Sequence, residues 1–299
     1  MTTSFRKLQA ALSVLSLSLL GLISCDQAQV VETPLPSPLI YEISNADGDV
    51  EGWMLGTIHA LPESVDWRTE PIEDAIADAD FLMVEIADLE NEQDLAHIFA
   101  ELGQSPDLPN IEMRVPREQR ASLNATIERE GFSSSQLTKV DTWAAALMLA
   151  SGDPQSDPRY GVDRVVIREF EGRNVVEFEG ARAQLSVFDQ LAEEDQRVLL
   201  RSAIKSSGNE AQDPAQLRDA WIAGDVTTIE AATITGMMTD PELRDALLVQ
   251  RNKDWMAKLE PVLAKAERPL IAVGAAHLVG DDGLTAMLKD RGYTVRRLR

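Results

Sequence analysis

The sequence repeats one local setting about two hundred residues apart, and that repeat limits what the chain can fold into. Trp53-Met54-Leu55-Gly56-Thr57-Ile58-His59 reads as a strand that ends in glycine and delivers a histidine. Pro269-Leu270-Ile271-Ala272-Val273-Gly274-Ala275-Ala276-His277 does the same. Two of the three histidines therefore sit in a Gly-x-x-His step just past an apolar, strand-like run. A sheet covered by helices collects polar residues at the carboxyl ends of its strands, so a fold that pairs these runs would bring both histidines to one edge.

Composition sets the outer limits. At 299 residues with 44% hydrophobic residues the chain can bury a substantial core. Fifty Asp and Glu against 28 Lys and Arg give a net charge of −22. A field of that sign repels phosphate backbones, which argues against nucleic acid as a partner. The acidity is spread along the chain and reads as a solvated surface.

The single cysteine is placed informatively. Arg6 and Lys7 precede an apolar run from Ala10 to Ile23, which leads into Leu22-Ile23-Ser24-Cys25. A basic start, a short greasy segment and small residues before a cut describe a secretory signal, and the run is short for a membrane span. The Leu-Ile-Ser-Cys ending resembles a bacterial lipobox, which implies cleavage before Cys25 and a lipid on its thiol. Residues 1–24 are then a signal peptide and 25–38 a lipidated cysteine and tether, with Pro34, Pro36 and Pro38 keeping it extended. Cleavage would remove Arg6 and Lys7 and leave neither a free thiol nor a disulfide. Several acyl chains on one residue would anchor the domain, each buried methylene adding about 0.8 kcal/mol. An ordinary signal with an incidental cysteine is the alternative.

Beyond the tether, residues 39–299 read as one α/β domain, a mixed sheet wrapped by helices with a large helical central portion. Leu39–Ile43 and Val50–Leu55 predict a hairpin around Asn45-Ala46-Asp47-Gly48. Residues 69–79 predict a helix that tolerates Pro71 in its first turn. Phe81–Ile86 is almost wholly apolar, as in a strand covered on both faces, and Glu85 interrupts its end. Helices are expected over 116–130, 135–150 and 161–170, the second burying Trp143, Leu147 and Met148. Asn174–Glu179 follows as a strand whose alternation puts Glu177 and Glu179 on one face. Helices are expected from Ala181 to about Leu263, with breaks near Gly208, Asp213-Pro214, Gly224 and Asp240-Pro241. The chain closes with a strand over 269–273, the Gly274–Gly283 loop, a helix to about Arg291 and a last strand over 293–298.

His59, Glu85, Glu177 or Glu179, and His277 thus all follow apolar strands. Two imidazoles with one or two carboxylates match the ligand set of a catalytic divalent metal, which lowers the pKa of bound water and polarises a carbonyl. The competing reading makes each histidine structural and pairs Glu85 with Arg251 or Arg159, because an unpaired carboxylate on a buried strand is costly. His97 lies in a helix-like stretch without the glycine step and reads as surface.

Leu55–His59, Val84-Glu85, Gly161-Val162-Asp163, Glu179, Arg251-Asn252 and Val273–Gly280, in that order, resemble the TraB/GumN family over nearly all of residues 40–299. The resemblance implies kinship to the Tiki metal-dependent proteases and to the erythromycin esterase and ChaN-like proteins. On it, His59 and His277 would bind the metal with Glu85 as acidic partner, and manganese or cobalt, with zinc possible, would be the cofactor. Glu179, Glu177, Arg251 and Asn252 would be further site residues, Arg251 steadying a developing oxyanion. The expectation is an envelope lipoprotein facing the periplasm, acting on a peptide or small molecule. The alternative is a non-catalytic binder of haem or a glycan precursor.

Overall fold

The computed structural model describes residues 35–150, 153–206 and 214–299. The leader, Cys25, most of the tether and the breaks at Gly208 and Asp213 lie outside the described residues. In chain order the strands and helices are β1 Ile40–Ser44, β2 Val50–Thr57, α1 Glu70–Asp78, β3 Phe81–Val84, α2 Glu92–Leu102, α3 Arg120–Arg129, α4 Thr142–Leu149 and α5 Val162–Glu169. They continue with β4 Val175–Glu177, α6 Ala181–Asp189, α7 Glu193–Ser206, α8 Pro214–Ala223, α9 Val226–Ala232, α10 Pro241–Arg244, α11 Gln250–Leu263, β5 Pro269–Gly274, α12 Leu284–Asp290 and β6 Thr294–Arg297.

The six strands form one mixed sheet in the order β4-β3-β5-β2-β1-β6. β4, β3, β5 and β2 run parallel, while β1 is antiparallel to both β2 and β6. All four parallel strands therefore end at one edge, where Glu177, Glu85, His277 and His59 were expected. The two glycine runs are direct neighbours, with Gly56 opposite Val273 and Thr57 opposite Gly274.

Alternation along the strands sorts side chains into two cores. Leu55, Leu82, Val84, Leu270 and Ala272 face one way and pack on Ile72, Ala75 and Ile76 of α1, Val166 and Phe170 of α5 and Trp221 of α8. Met54, Met83, Ile271 and Val273 face the other way, onto Trp255, Met256, Leu259 and Leu263 of α11 and Leu284 and Leu288 of α12. A third core lies away from the sheet, among α3, α4 and α7, around Trp143 and Leu200. Such uninterrupted apolar strands suit a sheet covered on both faces.

The structure departs from the sequence reading most clearly in the tether, in α4 and in β4, and β3 and α3 are also shorter than expected, at Phe81–Val84 and Arg120–Arg129. The tether ends earlier: the Ser37 amide donates to the Ile222 carbonyl at 2.8 Å, the Ser37 carbonyl accepts from Arg297 at 2.9 Å, and Pro38 is buried. α4 starts at Thr142 rather than near 135, because the Val140 carbonyl accepts from Arg114 Nη1 at 2.6 Å and residues 135–140 turn to reach it. β4 stops at Glu177, after which the amides of Phe178, Glu179 and Gly180 bond the carbonyls of Val84 and Glu85. Trp143 is fully buried as expected, but Leu147, from the same stripe, lines a cavity.

Candidate functional site

Both Gly-x-x-His steps use glycine for close approach rather than for an unusual backbone angle. A Cβ on Gly56 would lie 3.1 Å from Ala275, the residue after the second glycine, and a Cβ on Gly274 would lie 3.3 Å from Glu85 Oε1. The sheet edge is thus drawn tight around Glu85.

Asp163 holds His59. The Asp163 Oδ2 is 2.9 Å from His59 Nδ1, and its Oδ1 accepts from the Thr57 hydroxyl at 2.5 Å. The Asp163 side chain is 9% exposed, whereas His59 is 73% exposed toward open space, so the dyad has a fixed base and an accessible ring. The Asp163 charge and its hydrogen bond push the imidazole up to about 9. Burial pushes the Asp163 carboxyl upward, but His59 and the two hydrogen bonds outweigh it and hold the group ionised. Gly161 makes this contact feasible: it lies so close to the chain just past β2 that a Cβ would sit 2.2 Å from the His59 carbonyl oxygen. The Val162 amide then bonds the Ile58 carbonyl at 2.9 Å, placing Asp163 in the first turn of α5.

Arg251 occupies the centre. A π-helical turn over Asp245–Val249 runs directly into α11 and delivers it to the strand ends. Its Nε reaches Glu179 Oε1 at 2.9 Å, Nη2 reaches Glu85 Oε2 at 2.7 Å and Glu179 Oε2 at 2.9 Å, and Nη1 reaches the Leu247 carbonyl and His277 Nε2, each at 3.2 Å. All five guanidinium N–H groups are engaged. The three charged side chains are 8–12% exposed, so this is a buried network. Trp255 covers it, donating from its indole to Glu179 Oε1 at 2.8 Å while stacking on Phe178 and meeting the His277 ring at a tilt of 41°.

Glu85 completes the cluster. Its Oε1 accepts from the Gly274 amide at 2.8 Å, and its Oε2 accepts from Arg251 and, at 3.0 Å, from Gln184. Burial alone would raise the carboxyl; the Arg251 and His59 charges and the Gly274 N–H outweigh it and keep the group a carboxylate. Three of about four acceptor positions are filled, leaving one.

His277 is in the opposite state from His59. Burial drives its pKa down to about 3, so the ring is neutral. Asn252 fixes the tautomer: its amide donates to the Asp282 carbonyl at 2.7 Å, leaving Oδ1 to accept from His277 Nδ1 at 2.6 Å. The remaining lone pair on Nε2 meets Arg251.

The expected residues thus divide cleanly. His59, Glu85, Glu179, Arg251, Asn252 and His277 converge. Glu177 does not: it is exposed and its Oε2 accepts from the Ala87 amide at 3.1 Å, because the chain turns after β4 and separates it from Glu179. Arg159 is spent on Asp157, so Arg251 is the partner of Glu85. His97 is exposed on α2. Asp163, Thr57, Gln184 and Trp255 were missed as site residues. Asp163 belongs to the Gly161-Val162-Asp163 step, but nothing in its local spacing says that it faces His59.

A divalent metal fits this arrangement poorly. Among the described residues no group of three or more His, Cys, Asp or Glu side chains is spaced to hold one. The guanidinium of Arg251 stands between Glu85 and His277, filling the space a shared cation would need and taking the lone pairs that would bind it.

A cavity of about 580 Å³ opens onto the cluster, with His59, Glu85, Arg251 and His277 at one end and Ile58, Phe188, Trp221, Met237 and Leu248 among its walls. A second, of about 320 Å³, lies against His59, Glu85, Asp163, Arg164 and Gln184.

The dyad gives a direct prediction. In a proton NMR titration His59 titrates near 9 in the wild type, and Asp163→Asn returns it toward the ordinary value of about 6.5. Because the folded value is raised, the stabilisation it brings is complete below about 6.5 and is lost as pH rises through about 9. An unshifted wild-type midpoint would refute the assignment.

Comparison with known proteins identifies the family. The chain is 26% identical to "Uncharacterized protein YbaP" of Shigella flexneri over 247 residues, 81% of this chain and 89% of that protein. It is also 26% identical to the protein of that name from Escherichia coli (strain K12) over 241 residues, 79% and 87% of the two chains. No solved structure matches it. The family model for TraB/PrgY/gumN matches residues 39–297, which spans the whole sheet and every residue of the cluster, and the chain belongs to the TraB/PrgY/gumN family.

Proposed function

We propose that the chain is a hydrolase of acyl bonds whose chemistry is carried by the His59–Asp163 dyad and Glu85. The observation that supports this reading is a polarised histidine and a buried carboxylate side by side at the end of an apolar cavity. In the proposed step a water occupies the remaining acceptor position of Glu85 and gives it a proton. The water oxygen bonds to the carbonyl carbon, the bond to the leaving oxygen or nitrogen breaks, and the charged His59 hands its proton to the leaving atom. The imidazolium also faces the carbonyl oxygen as charge develops there.

Arg251 is a positioning residue in this account, since all its donors are already used. It keeps Glu85 ionised and aimed, and joins both histidine steps to α11. No step passes through a metal. The peptide bond implied by the family resemblance is one candidate substrate, and ligand binding without turnover is the competing reading.

The test is an assay of the soluble domain, residues 26–299, against nitrophenyl esters and fluorogenic peptides, with and without chelator, manganese or cobalt. Turnover is expected to survive chelation, and His59→Gln and Glu85→Gln to lose about 10² to 10⁴ in rate while keeping the wild-type circular dichroism spectrum. Absence of turnover on both substrate classes, unchanged rates in the variants, or dependence on added metal would each overturn the proposal.

We further propose that Cys25 is lipidated and holds the domain on the envelope membrane facing the periplasm. The support is the Leu22–Cys25 run in the sequence. Cys25→Ser should move the protein from the membrane fraction to the soluble fraction, and a variant that stays membrane-bound would contradict the anchor.

A further inference from the structure

The two cavities meet at His59, Glu85 and Gln184, which line both. Their walls differ in kind. Away from the cluster, the larger one is faced by Leu147, Phe188, Leu217, Trp221, Met238 and Leu248 and similar apolar groups, with Ser202 the one polar side chain there among the described residues. The smaller one is faced by the polar side chains of Asp163, Arg164, Glu85, Gln184 and His59 together with Val84, Ile86, Leu89 and Pro158. The Arg164 side chain is 17% exposed; its Nη1 donates to the Leu89 carbonyl and stands 3.8 Å from Glu90. With five donors it retains N–H groups beyond these two contacts.

We propose that the substrate is a small amphipathic ester or amide, its apolar half in the larger cavity, its polar, acceptor-bearing half against Arg164, and its scissile bond at the junction. The inference rests on the hydrolytic reading for the bond that is cut and on the shape and lining of the cavities for what flanks it. The combined space, about 580 and 320 Å³, lies in the range of small-ligand sites. An apolar wall also discriminates against peptides. A main chain threaded along it would leave N–H and C=O groups without partners, whereas an alkyl or aryl group loses nothing on entering. Polar groups fix the junction, and the greasy lobe supplies affinity through area removed from water.

Binding of non-hydrolysable analogues tests this separately from turnover. The probes are hydroxyketones in which a methylene replaces the ester oxygen of glycol esters, with acyl chains of four, eight and twelve carbons, measured by calorimetry on the wild-type domain. A short capped apolar dipeptide of similar volume serves as comparison. Affinity should climb with chain length, by up to roughly fourfold per buried methylene, until the lobe is filled. Met238→Glu should weaken the eight-carbon probe at least tenfold and leave the four-carbon probe within about twofold, which also reports that the variant is folded. Arg164→Ala should weaken all chain lengths by one common factor. Affinity independent of chain length, equal loss for both probes in Met238→Glu, or tighter binding of the dipeptide would overturn the two-lobed substrate. Chain-length-dependent binding in a protein that turns over no ester or amide would sink the hydrolytic reading and leave the binding geometry standing.

Discussion

One buried guanidinium holds the functional end of this protein together. Arg251 bridges Glu85, from the end of β3, and Glu179, from beyond β4, while its third nitrogen meets His277 from beyond β5. Three parallel strands are thereby tied to α11 through one side chain. Buried charges survive only when geometry and hydrogen bonding repay desolvation, and stripping one partner from such a group costs about 3–5 kcal/mol. Here the repayment is complete on the arginine side, with five donors placed on four neighbours. Trp255 seals the network by covering the guanidinium at 4.7 Å and donating to Glu179.

That constraint also separates the two histidines. His277 lies inside the seal, next to the cation, and burial keeps it neutral. His59 lies outside it and answers to Asp163 instead, which charges it. Two copies of one sequence step thus reach opposite protonation states because their surroundings differ, which is how a single fold can supply both a structural imidazole and a reactive one.

Much of this edge was legible in the sequence because strand-ending polar residues have few places to go. The repeated glycine steps announced neighbouring strand ends, and the apolar run before Glu85 announced a buried carboxylate that needed a partner. Of Arg251 and Arg159, it is Arg251 that Glu85 meets. Asp163 was not legible as a partner of His59, since their contact depends on Gly161 lying against the His59 carbonyl, a packing detail with no periodicity. Glu177 and Glu179 looked equivalent by alternation; the early end of β4 sends one to solvent and the other to Arg251. The cavity was hidden for a related reason: Leu147 has the spacing of a core residue, and only tertiary packing decides that its face is left open.

The metal-ligand reading of the histidines and the ion-pair reading of Glu85 compete for the same atoms. A cation shared by Glu85 and His277 would have to expel Arg251, leaving Glu179 buried without its bidentate partner. The most direct measurement is a crystal structure of the domain grown with manganese, with data collected at the metal's absorption edge. The account predicts no anomalous peak at the cluster and Arg251 seated between Glu85 and His277. A peak bonded by His59, His277 and Glu85, with Arg251 swung away, would contradict it.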